Sequence, residues 1–364
     1  MLLFDNLEND GRVLRTITSL KKKYNITIYS YCDQNNFQIN STKIIKRKSP
    51  NYKKNILELI FYTFHVFKII LKNKYDIFYI HDFYLAFPFK LISYFSSSKI
   101  VYDSHELLVP DKKDKLNYTN YFFYFLEKIS IKNFNLIITA NKERSRIMRD
   151  HYKLKNMPEV VKNIPNPSIK DGLFKRSVLE KKFKILERNN DIIIIYQGII
   201  NQKRGIEKIV MDLSKIRNSK IILIGNGNEK YIKYLKSLFK KKSIKNIYFL
   251  GKLDLKTLYS ILNISDCGII SYSNINLNNK YCAPNKLYEY ALFNLPMITS
   301  SQNLFKKTFE KYNIGIIHNE TENLENEIYR LINNRNNKIY FEKFNNSHSM
   351  ESESDKLLKA LEKI

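Results

Sequence analysis

Residues 283–301 read Ala-Pro-Asn-Lys-Leu-Tyr-Glu-Tyr-Ala-Leu-Phe-Asn-Leu-Pro-Met-Ile-Thr-Ser-Ser. This stretch reads as a helix entered through Pro284 and left at Asn294, followed by a short buried strand. Proline lacks the N–H that a first-turn residue leaves unpaired in any case. Asparagine tolerates the left-handed conformation that closes many helices, and Pro296 blocks continuation. The N–H groups of Asn285 and Lys286 then lie at the positive end of the helix dipole, with a lysine beside them, which suits a phosphate. Glu289 follows Lys286 by three residues, so both project from one side of the helix. A cation for a diphosphate and a carboxylate for ribose hydroxyls point to a nucleoside diphosphate. The competing reading is an amphipathic helix with a solvated Lys and Glu.

Outward from this stretch, strand and helix signals alternate along the chain. In the first half, strands are expected at 2–4, 26–31, 77–80, 99–103 and 136–139. Helices are expected at 11–23, 55–72, 85–95, 120–132 and 142–151, and a polar, Asn-rich loop after residue 31. Asn163-Ile164-Pro165-Asn166-Pro167 makes a stiff, non-helical connector, which sets the domain boundary. The second half repeats the alternation, with strands at 191–197, 220–224, 247–250, 267–271, 297–299 and 314–317. Its helices are expected at 205–213, 231–241, 255–262 (capped by Asp254), 284–294 and 324–333. Strands separated by helices favour parallel sheets with right-handed crossovers, an α/β class.

Three loops at strand ends carry candidate chemistry. Gly198-Ile-Ile-Asn-Gln-Lys203-Arg204-Gly205 follows a strand of consecutive apolar residues, and arginine offers several fixed donors to phosphate oxygens. A basic surface turn is the alternative. Gly225-Asn226-Gly227 follows the next strand, where two glycines permit close backbone approach to a ligand, or make a plain turn. Tyr102-Asp103-Ser104-His105-Glu106 ends a strand of the first half. The His105 imidazole can hydrogen-bond a ligand hydroxyl or move a proton; the alternative is a capping Asp103 and a structural histidine. His81-Asp82 repeats that layout one strand earlier.

With these residues in order, the chain resembles the family-4 retaining glycosyltransferases of GT-B fold. The pattern Pro-x-Lys-x-x-Glu-Tyr-x-x-x-x-x-Pro-x-Ile falls on residues 284–298. The resemblance implies two Rossmann-like domains whose parallel sheets face a central cleft. It implies an N-terminal acceptor-side domain at 1–166, a nucleotide-sugar domain at 167–335, and a C-terminal helical segment at 336–364 that returns to the first domain. It implies transfer of a sugar from a nucleoside-diphosphate sugar to a hydroxyl of a growing, lipid-linked surface glycan of capsule or O-antigen type.

By the same resemblance, Arg204 and Lys286 with the N–H groups at Asn285 hold the leaving diphosphate, and Glu289 holds ribose. Gly198, Lys203, Gly225, Asn226 and Gly227 line the nucleotide, and His105 contacts the donor sugar or acceptor. No metal or other cofactor is required, because these cations and the helix dipole would do that electrostatic work. Two positions depart from the family. Ile199 stands where many members carry a second arginine, with Lys203 as its nearest replacement. Tyr281 stands where the first of a glutamate pair is expected, so no second catalytic carboxylate is assigned. A nucleotide-sugar 2-epimerase of the same architecture, or a non-catalytic basic protein that binds polyanions, are the alternative functions.

At 364 residues the chain can fill two cores, and 44% apolar content excludes a disordered protein. The formal charge of +27 attracts polyanions. Lysine runs occur at 21–23, 112–115 and 240–242, without zinc-finger spacing or a nucleic-acid motif. An anionic membrane surface is therefore the expected macroscopic partner, and nucleic acid is not. Residues 120–132 interleave aromatic residues with Lys128 and Lys132, which suits either a bilayer surface or a core helix with a basic edge. Residues 55–72 are strongly apolar but interrupted by Glu58, His65 and Lys68, and are expected to form a buried domain helix rather than a span. Cys32, Cys267 and Cys282 form no disulfide or metal spacing, which fits a reducing compartment. The N-terminus carries no signal-peptide pattern, so the expected location is cytoplasmic, peripheral on the inner face of the cytoplasmic membrane.

Overall fold

The alternation resolves into two all-parallel sheets of like strand order. A computed structural model describes residues 1–33, 37–48, 56–111, 116–187, 190–334 and 338–364. The lysine run at 112–115 and the start of the helix expected from residue 55 lie outside these residues.

The first unit contains β1 (Leu2–Asn6), α1 (Gly11–Leu20), β2 (Ile26–Tyr31), β3 (Thr42–Arg47), α2 (Ile56–Lys72), β4 (Ile77–His81), α3 (Ala86–Ser93), β5 (Lys99–Asp103), α4 (Tyr118–Ser130), β6 (Leu136–Thr139), α5 (Lys142–Tyr152) and β7 (Glu159–Val160). Its sheet order is β3-β2-β1-β4-β5-β6-β7. The second unit contains α6 (Arg176–Lys182), β8 (Ile192–Gln197), α7 (Ile206–Leu213), β9 (Ser219–Ile224), α8 (Glu229–Lys241), β10 (Ile247–Gly251), α9 (Leu255–Ile264), β11 (Cys267–Ile270), α10 (Leu277–Lys280), α11 (Asn285–Leu292), β12 (Met297–Thr299), α12 (Asn303–Tyr312), β13 (Gly315–Ile317), α13 (Leu324–Asn334) and α14 (Ile339–Asn346). Its order is β10-β9-β8-β11-β12-β13. The last helix, α15 (Met350–Leu361), belongs to the first unit.

Strand periodicity explains both cores. Successive strand residues point to opposite faces. In β8, Ile194 and Tyr196 pack with α7, α8 and α13, while Ile193 and Ile195 pack with α9, α11, α12 and α14. A strand covered on both faces is apolar throughout, which is why residues 192–196 form an unbroken run. In the first unit, Leu3, Tyr79 and Val101 pack under α1 and α15, with Leu357 and Leu361 from the latter. The opposite face carries Phe4 against Tyr62 of α2, and Phe78 against Phe89 of α3.

Three expectations change. The units divide after Asn163, and only Met350–Ile364 joins the first; residues 338–349 stay with the second. The cause is α14, whose Phe341 and Phe344 are buried in the second core, with Phe344 against the rings of Tyr288 and Tyr312. Residues 42–47, expected within a polar loop, form edge strand β3, in register with β2 from Ile26–Thr42 to Tyr31–Arg47. Helix α2 is not a buried domain helix: it buries Leu59, Tyr62 and Val66 but leaves Leu57, Ile60, Phe61, Phe64, Phe67 and Leu71 exposed. Among the described residues, no helix is long and apolar enough to cross a membrane.

Candidate functional site

In each unit the candidate residues fall at the carboxyl ends of strands beside the point where strand order reverses, β1/β4 and β8/β11. Ligand-binding crevices of open α/β sheets form there.

Helix α11 begins as its sequence dictates. Pro284 occupies the N-cap in extended conformation and supplies no side-chain cap, so the first-turn N–H groups are left for another acceptor. Its end is a Schellman closure: Asn294 has φ 50°, its N–H donates to Ala291 O at 3.0 Å, and Leu295 N–H donates to Tyr290 O at 2.9 Å.

The Lys286 side chain lies over Gly198; a Cβ on that glycine would stand 2.8 Å from Lys286 Nζ. The ammonium sits 5.7 Å from the Tyr196 ring centroid and 6.0 Å from that of Tyr272. The Arg204 guanidinium stacks on the same Tyr272 ring at 4.4 Å. Among the described residues neither cation forms an ion pair with a carboxylate. Burial, and then repulsion from Arg204, pushes the Lys286 pKa down to about 8. Two cations held together on an aromatic floor beside an uncapped helix start concentrate positive potential at one place, which favours an anion.

Arg204 is placed by its backbone. Asn201 Oδ1 caps the short 3-10 turn at Arg204 N, Ser271 Oγ donates to Arg204 O at 2.8 Å, and Asn279 Nδ2 donates to Lys203 O at 3.0 Å. Gly205 continues from this turn with φ 62°, a left-handed conformation. Lys203 and Ile199 are exposed. Glu289 is buried beneath the Lys286 position and accepts a 2.5 Å hydrogen bond from Gln197 Nε2 at the end of β8. The other amide atom, Gln197 Oε1, is buried without a hydrogen-bond partner.

The glycines at 225 and 227 do something other than expected. A Cβ at Gly225 would lie 2.0 Å from Gly198 O, and one at Gly227 would lie 1.8 Å from Ile200 O. The surfaces they approach closely are the neighbouring loop's backbone. Gly198 N–H donates to Ile224 O and Ile200 N–H to Asn226 O, both at 2.9 Å. The Asn226 side chain is exposed.

In the first unit His105 is joined to a buried network. His81 Nδ1 and His105 Nε2 are 3.1 Å apart, and His105 Nδ1 lies 3.5 Å from Asp10 Oδ2. Asp103 accepts from Arg12 Nε at 2.9 Å, from Arg12 Nη2 at 2.6 Å and from the Tyr79 hydroxyl at 3.1 Å. Burial alone would raise the Asp103 carboxyl; Arg12, with His105 and His81, outweighs it and holds the pKa below the usual value. Burial, then His105, pushes His81 well below its usual value, so it is neutral, and its Nε2 is buried without a partner. Asp82, at φ 65°, is pushed well up by burial and then by Glu106. Ligating atoms of His81, Asp103 and His105 lie within 4.8 Å of one another. The Asp103 carboxylate is already committed to Arg12 and Tyr79.

The sequence reading named Arg204, Lys286, Glu289 and the loop glycines, and the fold brings them together around the ends of β8 and β9. It missed Tyr196, Tyr272 and Gln197 as their supports, and Arg12 as the partner of Asp103. An aromatic residue under a cation has no spacing signal, and Arg12 meets Asp103 across 91 positions of chain.

The fold defines a class. Crystal structures of Anabaena HepE, solved with UDP and glucose, and of WaaG, a glycosyltransferase of lipopolysaccharide biosynthesis, superpose with TM-scores of 0.74 each. Identities are 15% and 12%; the matches cover 100% of this chain and 99% of HepE, and 98% and 97% for WaaG. The fold these structures share with the chain, two Rossmann-like units with parallel sheets, is the GT-B architecture. Residues 177–348, within the second unit, match the model of the family Glycosyl transferases group 1. A curated relative, an uncharacterized glycosyltransferase of Methanocaldococcus jannaschii, is 25% identical over 185 residues. That match covers 49% of this chain and 45% of the relative, so the chain aligns with less than half of that protein's length.

Proposed function

We propose that this protein is a retaining glycosyltransferase that moves a sugar from a nucleoside-diphosphate sugar to a hydroxyl of a growing, lipid-linked surface glycan, working on the cytoplasmic side of a membrane. One observation carries the donor half of this reading: Lys286 and Arg204, which form no ion pair among the described residues, share the Tyr272 ring beside the uncapped start of α11. In that role they and the N–H groups at Asn285 and Lys286 neutralise charge on the departing diphosphate, and they do so most in the transition state, where it accumulates. Glu289, oriented by Gln197, accepts from ribose hydroxyls. His105, held by His81 and Asp10, supplies an imidazole to sugar hydroxyls. The cations make a metal unnecessary for leaving-group departure.

UDP is the first probe, because the HepE structure of similar fold was solved with UDP and glucose. Calorimetric titration of the full chain with UDP, GDP and ADP, followed by assay of nucleotide release from the matching sugars, tests the reading. Binding of one nucleotide and its loss in Glu289→Ala with an unchanged melting temperature is the expected result. Failure of all three nucleotides to bind overturns it. Free epimerised nucleotide sugar without glycan product would replace transfer by epimerisation.

A further inference from the structure

Helices α2, α3 and α4 cover one face of the first sheet. Their inner residues are linked through rings: Tyr62 of α2 meets Phe4 at 5.2 Å, Phe4 meets Tyr84 at 5.6 Å, and Tyr84 meets Phe123 of α4 at 4.9 Å. Their outer surfaces are apolar. The exposed side chains of α2, from Leu57 through Phe61 and Phe64 to Leu71, recur at helical spacing along its whole length. Beside them stand Tyr94 and Phe95 after α3, and Tyr121, Phe122 and Phe125 on α4. Most of the exposed large apolar side chains among the described residues lie on this one face. Soluble monomers rarely leave such a patch uncovered.

Charge is sorted across the same helices. The only carboxylate of α2, Glu58, is buried and bonded to Tyr31 and Arg47. The only carboxylate of α4, Glu127, is buried and bonded to Tyr102 and Tyr152. α3 has none. What remains outward is cationic: Lys68, Lys72 and Lys128 are exposed. Lys68 lies 4.6 Å from the Phe64 ring centroid, within the apolar stripe rather than apart from it.

We propose that this face is a docking surface for an anionic lipid bilayer. Aromatic and aliphatic side chains enter the interface, while the lysines among them meet lipid phosphates. A second copy of the chain fits less well, because a two-fold interface on this face would set Lys68, Lys72 and Lys128 against like charges. The inference is independent of the chemistry of the second unit, and it places α2 at the membrane rather than in the core.

The test is co-sedimentation of the full chain with vesicles of phosphatidylcholine, with and without about 30% phosphatidylglycerol. Binding is expected on the anionic vesicles, weaker by about tenfold on neutral ones and in high salt. The Phe61→Ser, Phe64→Ser double variant and the Lys68→Glu, Lys72→Glu double variant should each lose about tenfold in partitioning. Both should keep the parent melting temperature, since all four side chains are exposed. Undiminished vesicle binding by both variants overturns the proposal. So does a solution dimer that Phe61→Ser dissolves, which would assign the face to a second copy.

Discussion

The two units treat buried charge in opposite ways. In the first, Arg12 and Asp103 are matched: the guanidinium also donates to Val161 O and Asn163 Oδ1, and Tyr79 takes the remaining carboxylate oxygen. In the second, Lys286 and Arg204 stand together with no ion pair among the described residues; Glu289 attracts Lys286, but burial and repulsion from Arg204 outweigh it and lower the pKa to about 8. A matched pair holds a fold together. An unmatched pair spends stability to remain ready for a ligand.

The comparison breaks most visibly at Arg12. Arg12→Ala leaves Asp103 charged, buried and unpaired, so urea denaturation should show a loss of about 3–5 kcal/mol. A loss below about 1 kcal/mol would mean that the pair is not structural. Lys286→Met should act in the other direction. Nucleotide affinity should fall about 10- to 100-fold by calorimetry, the worth of one charge-assisted contact. The melting temperature should hold or rise by a few degrees, because a buried repulsion is removed.

The pH dependence sharpens this. In the free protein the Lys286 ammonium is charged below about pH 8 and lost above it. Diphosphate affinity should therefore decline above pH 8, by at most about tenfold per unit. Titrations at pH 7 and 9 check it, and Lys286→Arg should flatten the decline. Stability should change with opposite sign. The unfolded chain binds this proton more tightly than the folded one, so the group's penalty is relieved between about pH 8 and its unfolded value of 10.5.

A second pH-dependent effect is expected at Glu127, a buried carboxylate of the first unit whose partners are the hydroxyls of Tyr102 and Tyr152. Burial raises its pKa from 4.5 to about 7. The folded state then holds a proton that the unfolded state releases, so stability falls as pH rises from about 4.5 to 7. Glu127→Gln should therefore be more favourable to stability at pH 8 than at pH 5, by up to about 3 kcal/mol. Equal shifts at the two pH values would show that burial does not tune this group.

Much of the architecture was readable before any coordinates. Runs buried on both faces, such as residues 192–196, announce central strands, and Pro284 and Asn294 bracket α11 because each backbone conformation demands those residues. What escaped lies at edges and in periodicity. β3 reads Thr-Lys-Ile-Ile-Lys-Arg, two apolar residues among polar ones with no period of two, so this edge strand reads as loop. α12 carried a usable signal in Phe305, Thr308, Phe309 and Tyr312, spaced at three, four and seven positions, yet it was not read as a helix. α2 was misread because an apolar helix says nothing of which side is covered. In the site, Lys286, Glu289 and Arg204 were legible from local spacing. Their supports Tyr272 and Gln197, and Arg12 beneath Asp103, were not, because those contacts arise only when distant strands pair.

The loops at 198–200 and 225–227 have no room for even one methyl group between them. They therefore share a single mechanical freedom: neither can shift without carrying the other. Anything that grips the first must quiet the second, so slowed amide exchange at Asn228, whose N–H donates to Ile200 O, would report occupancy of the first loop.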